Sequence, residues 1–106
     1  MNQLGVRQLA EWLADAKRAP PVILDVREPW EVGTAALPGA VHVPMRDIPQ
    51  RAHELDQARE IVALCHHGAR SMQVAIFLER MGFTVHNLAG GIDAWSREVD
   101  ASVPRY

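Results

Sequence analysis

One segment of the sequence combines a nucleophile with groups that stabilise negative charge. Cys65 follows the apolar run Ile61–Leu64, and the helical spacing of apolar residues predicts a helix over Ser71–Met81. The six residues from Cys65 to Arg70 must therefore turn tightly between a buried strand and a helix. Such a turn directs several backbone N–H groups to one point, and the positive end of the following helix adds to their effect. These effects favour thiolate over thiol and predict a reactive cysteine.

The residues of this loop have separable roles in that interpretation. Cys65 is the predicted catalytic nucleophile, Gly68 relieves the backbone where φ is positive, and Arg70 holds the loop or contacts a bound anion. The competing interpretation is an inert core thiol, which is common for a lone cysteine. The position at the carboxyl end of a strand, before a glycine-containing turn, favours the reactive thiol. The predicted substrate-binding residues of the loop are His66, His67, Gly68, Ala69 and Arg70.

A second polar group follows another buried strand, predicted over Val22–Val26. Asp25 is assigned a structural role, since a buried acid needs hydrogen-bond partners. Arg27 lies beyond the strand end, where we expect the mouth of the pocket and a contact with substrate. Ser71, which begins the predicted helix, is assigned with Asp25 to the structural support of the site.

The histidines beside Cys65 also raise the question of a metal centre. Adjacent residues on a short loop rarely converge on one ion, and no Cys or His stands at a usual zinc spacing from His66 and His67. We therefore predict no metal and no organic cofactor.

The elements that position these residues alternate between strand and helix. This alternation predicts an α/β fold with a mostly parallel sheet covered by helices on both faces. Ligands bind such sheets outside the carboxyl ends of the strands, where the segments 25–28, 65–70 and 89–91 arrive. The predicted strands are 22–26, 41–43, 61–64 and 84–88, and the predicted helices are 6–17, 48–58, 71–81 and 92–97.

Length and composition limit the possible functions. A chain of 106 residues fits one domain, here residues 1–106. The net charge of -2 gives no electrostatic reason for binding nucleic acid or a membrane surface. The single cysteine excludes an internal disulfide and indicates a reducing compartment. The first residues do not read as a secretory signal and no apolar run is long enough to span a bilayer, so we expect a cytoplasmic protein.

The loop from Cys65 to Ser71 resembles the active-site loop of rhodanese-like domains. The resemblance extends from Leu4 to about Arg97 and implies a three-layer rhodanese-like fold. It also implies a sulfurtransferase that carries sulfur as a persulfide on Cys65. Three further segments resemble family signatures in the same order: Asp25–Pro29, Leu37–Pro44 and Leu88–Trp95.

The resemblance implies a donor such as thiosulfate or a small-molecule persulfide. The implied acceptor is a thiol or cyanide, with a protein acceptor also possible. The chain departs from the family at Ala35-Ala36, where a glycine and a histidine are common. It also departs at His66 and His67, where thiosulfate-using members tend to carry basic residues.

Two alternatives from other functional classes stay open. Cysteine-dependent phosphatases and arsenate reductases also surround an oxyanion with a cysteine loop. Their loops generally have one residue more between Cys and Arg than the four found between Cys65 and Arg70. A shorter loop gives a tighter nest that suits a single sulfur. The second alternative is a non-catalytic binding module of the same fold, although such modules usually lose the cysteine.

Overall fold

The computed structural model describes residues 1–106, which form a five-stranded sheet in the order β1-β5-β4-β2-β3. Every strand pair is parallel, so the predicted α/β class with a mostly parallel sheet is confirmed. No helix is both long and apolar enough to span a membrane. The strands are β1 Asn2–Leu4, β2 Val22–Asp25, β3 Val41–His42, β4 Ile61–Leu64 and β5 Val85–Leu88. The helices are α1 Val6–Ala14, α2 Pro29–Thr34, α3 Ile48–Arg51, α4 Ala69–Arg80 and α5 Gly91–Glu98.

The central strands are buried on both faces, which explains their continuous apolar sequence. In β4, Val62 and Leu64 pack into a core with residues of α1 and α5, whereas Ile61 and Ala63 pack into a second core with residues of α3 and α4. This alternation is the two-residue period of an extended strand. The fold therefore has three layers, with the sheet between two helical layers.

The cysteine lies where the chain changes direction across the sheet. After β2 the chain passes to the edge strand β3, whereas after β4 it passes the other way to β5. The strands β2 and β4 are neighbours, with Asp25 in register with Leu64. Open α/β sheets bind ligands at such a switch point, so the carboxyl ends of β2 and β4 form the expected place for a site.

Several element boundaries differ from the sequence predictions. Helix α4 begins at Ala69, two residues before the predicted start at Ser71. The predicted helix 48–58 is wrong, because α3 ends at Arg51 and only a short 3-10 turn at Ala52–Glu54 follows it. Strand β1 and helix α2 were not predicted. Strand β1 is an edge strand of three mostly exposed residues and lacks an apolar pattern.

Candidate active site

The sulfur of Cys65 lies at the carboxyl end of β4 and accepts one hydrogen bond. The N–H of Gly68 donates to Sγ at 3.0 Å, and the Ser71 hydroxyl lies 3.3 Å from it. Cys65 is 1% exposed. The sequence predicted that several loop amides converge on this point. In the structure one amide and one side-chain hydroxyl reach the sulfur.

The loop backbone is fixed by α5. The N–H of Ile92 donates to the carbonyl of Cys65 at 2.9 Å, and the N–H of Asp93 donates to the carbonyl of His66 at 3.1 Å. These two N–H groups belong to the first turn of α5 and have no partner within the helix. They reach the loop carbonyls because the start of α5 lies close to the loop. A Cβ on Gly91 would collide with both carbonyl oxygens, so glycine is required at this position.

Gly68 also adopts a conformation that favours glycine. Its φ is +114°, in the left-handed region, and it precedes the first residue of α4, Ala69. This turn directs the N–H of Gly68 back toward Cys65. The predicted role of Gly68 in relieving the backbone agrees with this geometry.

Asn87 supports the loop from β5, and the sequence reasoning did not identify it. Its amide nitrogen donates to the carbonyl of Gly68 at 3.1 Å and to Gln3 Oε1 at 3.0 Å. Its amide oxygen accepts from the Ser71 hydroxyl at 2.5 Å. Asn87 is 1% exposed, so a buried amide organises both residues that contact the sulfur. The available signal was a pair of polar residues, His86 and Asn87, inside a buried strand.

Arg70 is held by a second residue that the sequence reasoning did not identify, Glu31 of α2. The two side chains form a bidentate pair with N–O distances of 2.6 and 2.9 Å. Hydrogen bonding to Arg70 lowers the pKa of Glu31 to about 2, and the same contact raises the pKa of Arg70. The Glu31 side chain is 4% exposed and that of Arg70 is 36% exposed. Arg70 therefore presents an edge to solvent while the carboxylate fixes its orientation.

Arg27 lies in the interior and not at a pocket mouth, so that predicted position is wrong. Arg27 is 0% exposed. Its side chain pairs with Asp25 through Nε at 2.9 Å and Nη2 at 2.7 Å. Its remaining N–H donors bind the carbonyls of Glu31 and Ala35 and the phenol of Tyr106. All five donors of a guanidinium are thus engaged within the chain, and Asp25 has the supporting place assigned to it.

An aromatic stack lies beside the loop. The rings of His66 and His67 stack with their centroids 4.0 Å apart. The ring of Tyr106 stacks on the other face of His66, with the two centroids 4.1 Å apart. Burial and the neighbouring His67 lower the pKa of His66 below its ordinary value, so its imidazole is mostly neutral at pH 7. The Tyr106 hydroxyl donates to Glu31 at 2.6 Å. The sequence did not predict a role for Tyr106 in the site.

One group of side chains has the composition of a metal site. Possible ligand atoms of His66, His67 and Asp93 lie within 4.8 Å of one another. The Asp93 carboxylate is already engaged by Arg97 at 3.0 Å and Arg105 at 3.2 Å. Stacked, nearly parallel imidazoles do not present their nitrogens to one ion from different directions. The geometry gives no support to a metal centre, and its absence stays a prediction.

Comparisons with known proteins identify the family. The family model of the Rhodanese-like domain matches residues 9–98. The chain is 43% identical over 76 residues to the putative sulfurtransferase YtwF of Bacillus subtilis, covering 72% of this chain and 74% of that protein. It is 37% identical over 98 residues to a sulfurtransferase of Allochromatium vinosum, covering 92% of this chain and 90% of that protein.

A solved structure agrees with the sequence matches. The crystal structure of a rhodanese-like domain protein from Staphylococcus aureus superposes with a TM-score of 0.85 and 27% sequence identity. The superposition covers 100% of this chain and 99% of that chain. The predicted three-layer rhodanese-like fold is therefore confirmed, and the chain belongs to the rhodanese-like domain family.

Proposed function

We propose that this protein is a sulfurtransferase that moves sulfane sulfur from a small-molecule donor to a thiol or cyanide through a persulfide on Cys65. The observation that carries the proposal is the environment of the sulfur. A lone cysteine ends the central strand, with the N–H of Gly68 at 3.0 Å from Sγ and Arg70 fixed nearby by Glu31. The family relatives named sulfurtransferases support the same reaction class.

The first half-reaction loads the enzyme. The Cys65 thiolate attacks the outer sulfur of the donor, so that a new S–S bond forms while the donor's S–S bond breaks. The leaving group takes the bonding electron pair as sulfite or as a thiolate. The logic is that of thiol–disulfide exchange, in which the leaving group's basicity controls the rate. The N–H of Gly68 stabilises negative charge on sulfur during this step, and the Ser71 hydroxyl lies 3.3 Å from Sγ.

The second half-reaction unloads the enzyme. An acceptor thiolate or cyanide attacks the outer sulfur of the persulfide, and the electron pair of the breaking S–S bond returns to Cys65 as thiolate. The chain has one cysteine, so no second thiol of its own can resolve the persulfide. The acceptor is therefore an outside molecule, either a small thiol, cyanide or a thiol of another protein.

The charges around the loop favour a donor of low charge over the thiosulfate dianion. The positive charge of Arg70 is offset by Glu31, and that of Arg27 is offset by Asp25. His66 adds no positive charge at pH 7, because burial and His67 lower its pKa. No uncompensated cation from these residues attracts a dianion. A small-molecule persulfide is therefore the donor class that we assign.

Intact mass measurement tests the reaction. After incubation with glutathione persulfide, the protein should be heavier by one sulfur atom, and cyanide should remove that mass. Cys65→Ser should fold normally and gain no mass. Thiosulfate should load the wild-type protein more slowly at equal concentration. A persisting gain in Cys65→Ser would contradict the assignment of the nucleophile.

The phosphatase alternative is tested with the same two proteins. The loop from Cys65 to Arg70 is short, and we expect negligible hydrolysis of aryl phosphates. Hydrolysis by the native protein that is lost in Cys65→Ser would overturn the proposed reaction class.

We place the reaction in a reducing compartment, the cytoplasm, because a lone thiol must stay reduced to act as a nucleophile.

A further inference from the structure

Tyr106 connects the buried pair of Asp25 and Arg27 with the Glu31 carboxylate of the candidate site. Its hydroxyl donates to Glu31 Oε2 at 2.6 Å and accepts from Arg27 Nη1 at 2.9 Å. The direct link from Arg27 to the backbone carbonyl of Glu31 is longer, at 3.3 Å. The phenol therefore joins the buried pair at the end of β2 to the carboxylate that holds Arg70.

The Glu31 carboxylate depends on several donors for its orientation. Oε1 accepts from Arg70 and from the backbone N–H of Glu28 at 3.0 Å, while Oε2 accepts from Arg70 and from Tyr106. Two carboxylate oxygens offer about four acceptor positions, so this carboxylate is saturated. Loss of the phenol leaves Oε2 held only by Arg70, whose side chain is partly exposed and can move with it.

The ring of Tyr106 has a separate contact with the loop. It lies on His66 with ring centroids 4.1 Å apart and an angle of 14° between planes, and its other aromatic neighbour is Trp30 in an edge contact at 5.8 Å. The hydroxyl contacts Glu31 directly, whereas the ring stacks on His66. This separation allows them to be tested independently.

We infer that Tyr106 is a positioning residue for sulfur transfer, acting on Arg70 through the Glu31 carboxylate and on His66 through its ring. The inference rests on the proposed function for its effect on the rate. Its effect on Glu31 and His66 does not depend on sulfur chemistry. Tyr106 itself makes no hydrogen bond to Cys65.

The test begins with Tyr106→Phe, which removes the hydroxyl and keeps the ring. We expect kcat/KM for loading by glutathione persulfide to fall about fivefold, as for the loss of one typical hydrogen bond. Ser102→Ala, in the same terminal segment but bonded only to Asp100, is the matched control and should load at the wild-type rate. Unchanged loading by Tyr106→Phe would overturn the inference.

A double-mutant cycle shows whether Tyr106 acts through Arg70. Arg70→Lys cannot form the same bidentate pair with Glu31. We expect Tyr106→Phe to have little further effect on kcat/KM in the Arg70→Lys background, so the two losses should be far from additive. Fully additive losses would contradict action through Arg70, because a general loss of folding would add to any other defect.

Titration of the side chains by NMR tests the positioning without any sulfur donor. In Tyr106→Phe the pKa of Glu31 should rise, because one hydrogen bond to its charged form is lost. In Tyr106→Ala, but not Tyr106→Phe, the pKa of His66 should rise as its ring becomes hydrated. The titratable or charged groups around His66 are His67, Asp93, Glu31, Arg70 and Tyr106.

These measurements separate the two proposals. If the wild-type protein gains no sulfur while both pKa changes occur, the proposed function fails and the positioning by Tyr106 stands. If the wild-type protein loads normally while Glu31 and His66 titrate alike in every variant, the proposed function stands and the role of Tyr106 is wrong.

Discussion

Two arginines follow neighbouring strands of the same sheet, and their surroundings differ sharply. Arg27 follows β2, is fully buried and uses all five guanidinium donors within the chain. Arg70 follows the loop after β4, has a side chain that is 36% exposed and donates two hydrogen bonds, both to Glu31. We call Arg27 the closed arginine, because it is buried with every donor engaged, and Arg70 the open arginine, because it is partly exposed with unused donors.

The difference separates a supporting residue from one available to substrate. A buried guanidinium with no free donor can hold a strand end in place but cannot bind an incoming anion. Arg70 keeps free donors at the loop that contains the nucleophile, and Glu31 limits how far it can turn. Saturation of hydrogen-bond donors, more than distance along the chain, therefore distinguishes the two roles.

The largest expected effect is on stability at Arg27. Arg27→Lys removes most of the hydrogen bonds to Asp25, Glu31 and Ala35 and leaves a buried carboxylate poorly matched. We expect a loss of about 3 kcal/mol or more in the free energy of unfolding, measured by urea denaturation. Arg70→Lys should change that free energy by less than about 1 kcal/mol, because the site is partly exposed and the charge is kept.

The kinetic effects of these two substitutions should be reversed. At a temperature where both variants are folded, Arg70→Lys should lower kcat/KM for persulfide loading about tenfold, since Lys cannot copy the planar bidentate geometry. Folded Arg27→Lys should retain most of the wild-type rate. If Arg27→Lys proved the slower enzyme while folded, the division into a closed and an open arginine would be wrong.

The next effect concerns Glu31, which joins the two regions. Glu31→Gln weakens its hydrogen bonds to Arg70 and Tyr106, and we expect a loss of roughly 2 kcal/mol at pH 7. Because folding lowers the pKa of Glu31 from 4.5 to about 2, its contribution to stability is complete above about pH 4.5 and is lost as the pH falls toward 2. The unfolding curves of the two proteins should therefore converge across that range. Parallel stabilities down to pH 2 would contradict the shifted pKa.

The sequence predicted the elements whose signals are local. The apolar run of β4, the cysteine after it and the glycine in the turn lie close together, so the loop could be placed. Glu31 and Tyr106 could not be found in this way, because Arg70 is 39 positions from Glu31, and Tyr106 is 75 positions from it. Asn87 acts on Ser71 from 16 positions away, across the interface of β5 and α4.

The prediction that Arg27 lies at the mouth of the pocket was wrong for the same physical reason. A charged residue after a strand end reads as exposed, since charged groups are rarely buried without partners. Its partners include Ala35 and Tyr106, which only the tertiary fold brings to it. A pattern of residue types cannot show how many donors of a guanidinium the fold will satisfy.

A smaller effect is expected at Ser71, whose hydroxyl lies between Asn87 and Cys65. Ser71→Ala leaves the amide oxygen of Asn87 without its partner at 2.5 Å and removes one contact to the sulfur. We expect a loss of about 1 kcal/mol in stability and a severalfold slower loading rate. Ser96→Ala, which removes a buried hydroxyl bonded only to the carbonyl of Ile92 within α5, is the matched control and should load normally. Equal rates for both variants would show that the Ser71 hydroxyl does not act on the sulfur.

The smallest effect concerns the choice of donor and depends on the offset charges of Arg27 and Arg70. His66→Arg adds a fixed charge, and its guanidinium can stack on Tyr106 as the imidazole does. The ratio of kcat/KM for thiosulfate to that for glutathione persulfide should rise severalfold at pH 7, because thiosulfate concentrates two negative charges beside the sulfur that is attacked, whereas the carboxylates of glutathione persulfide lie farther from its sulfur. His66→Gln, which stays neutral, is the control and should leave the ratio near the wild-type value.

Salt dependence then distinguishes charge from shape in the same variant. The ratio of kcat/KM values in His66→Arg rises through charge only if the new cation attracts the thiosulfate dianion. Raising the ionic strength to about 1 M shortens the Debye length to about 3 Å and should then remove much of the increase in that ratio. Lowering the pH of the wild-type protein to about 6 should raise the ratio less than the fixed charge of His66→Arg does, because burial and His67 keep the pKa of His66 below its ordinary value. A ratio that rises in His66→Arg and does not depend on salt would mean that the new side chain changes the shape of the approach to Cys65. A ratio that rises equally in His66→Gln would mean that the imidazole itself obstructs thiosulfate, and the electrostatic account of donor choice would then be wrong.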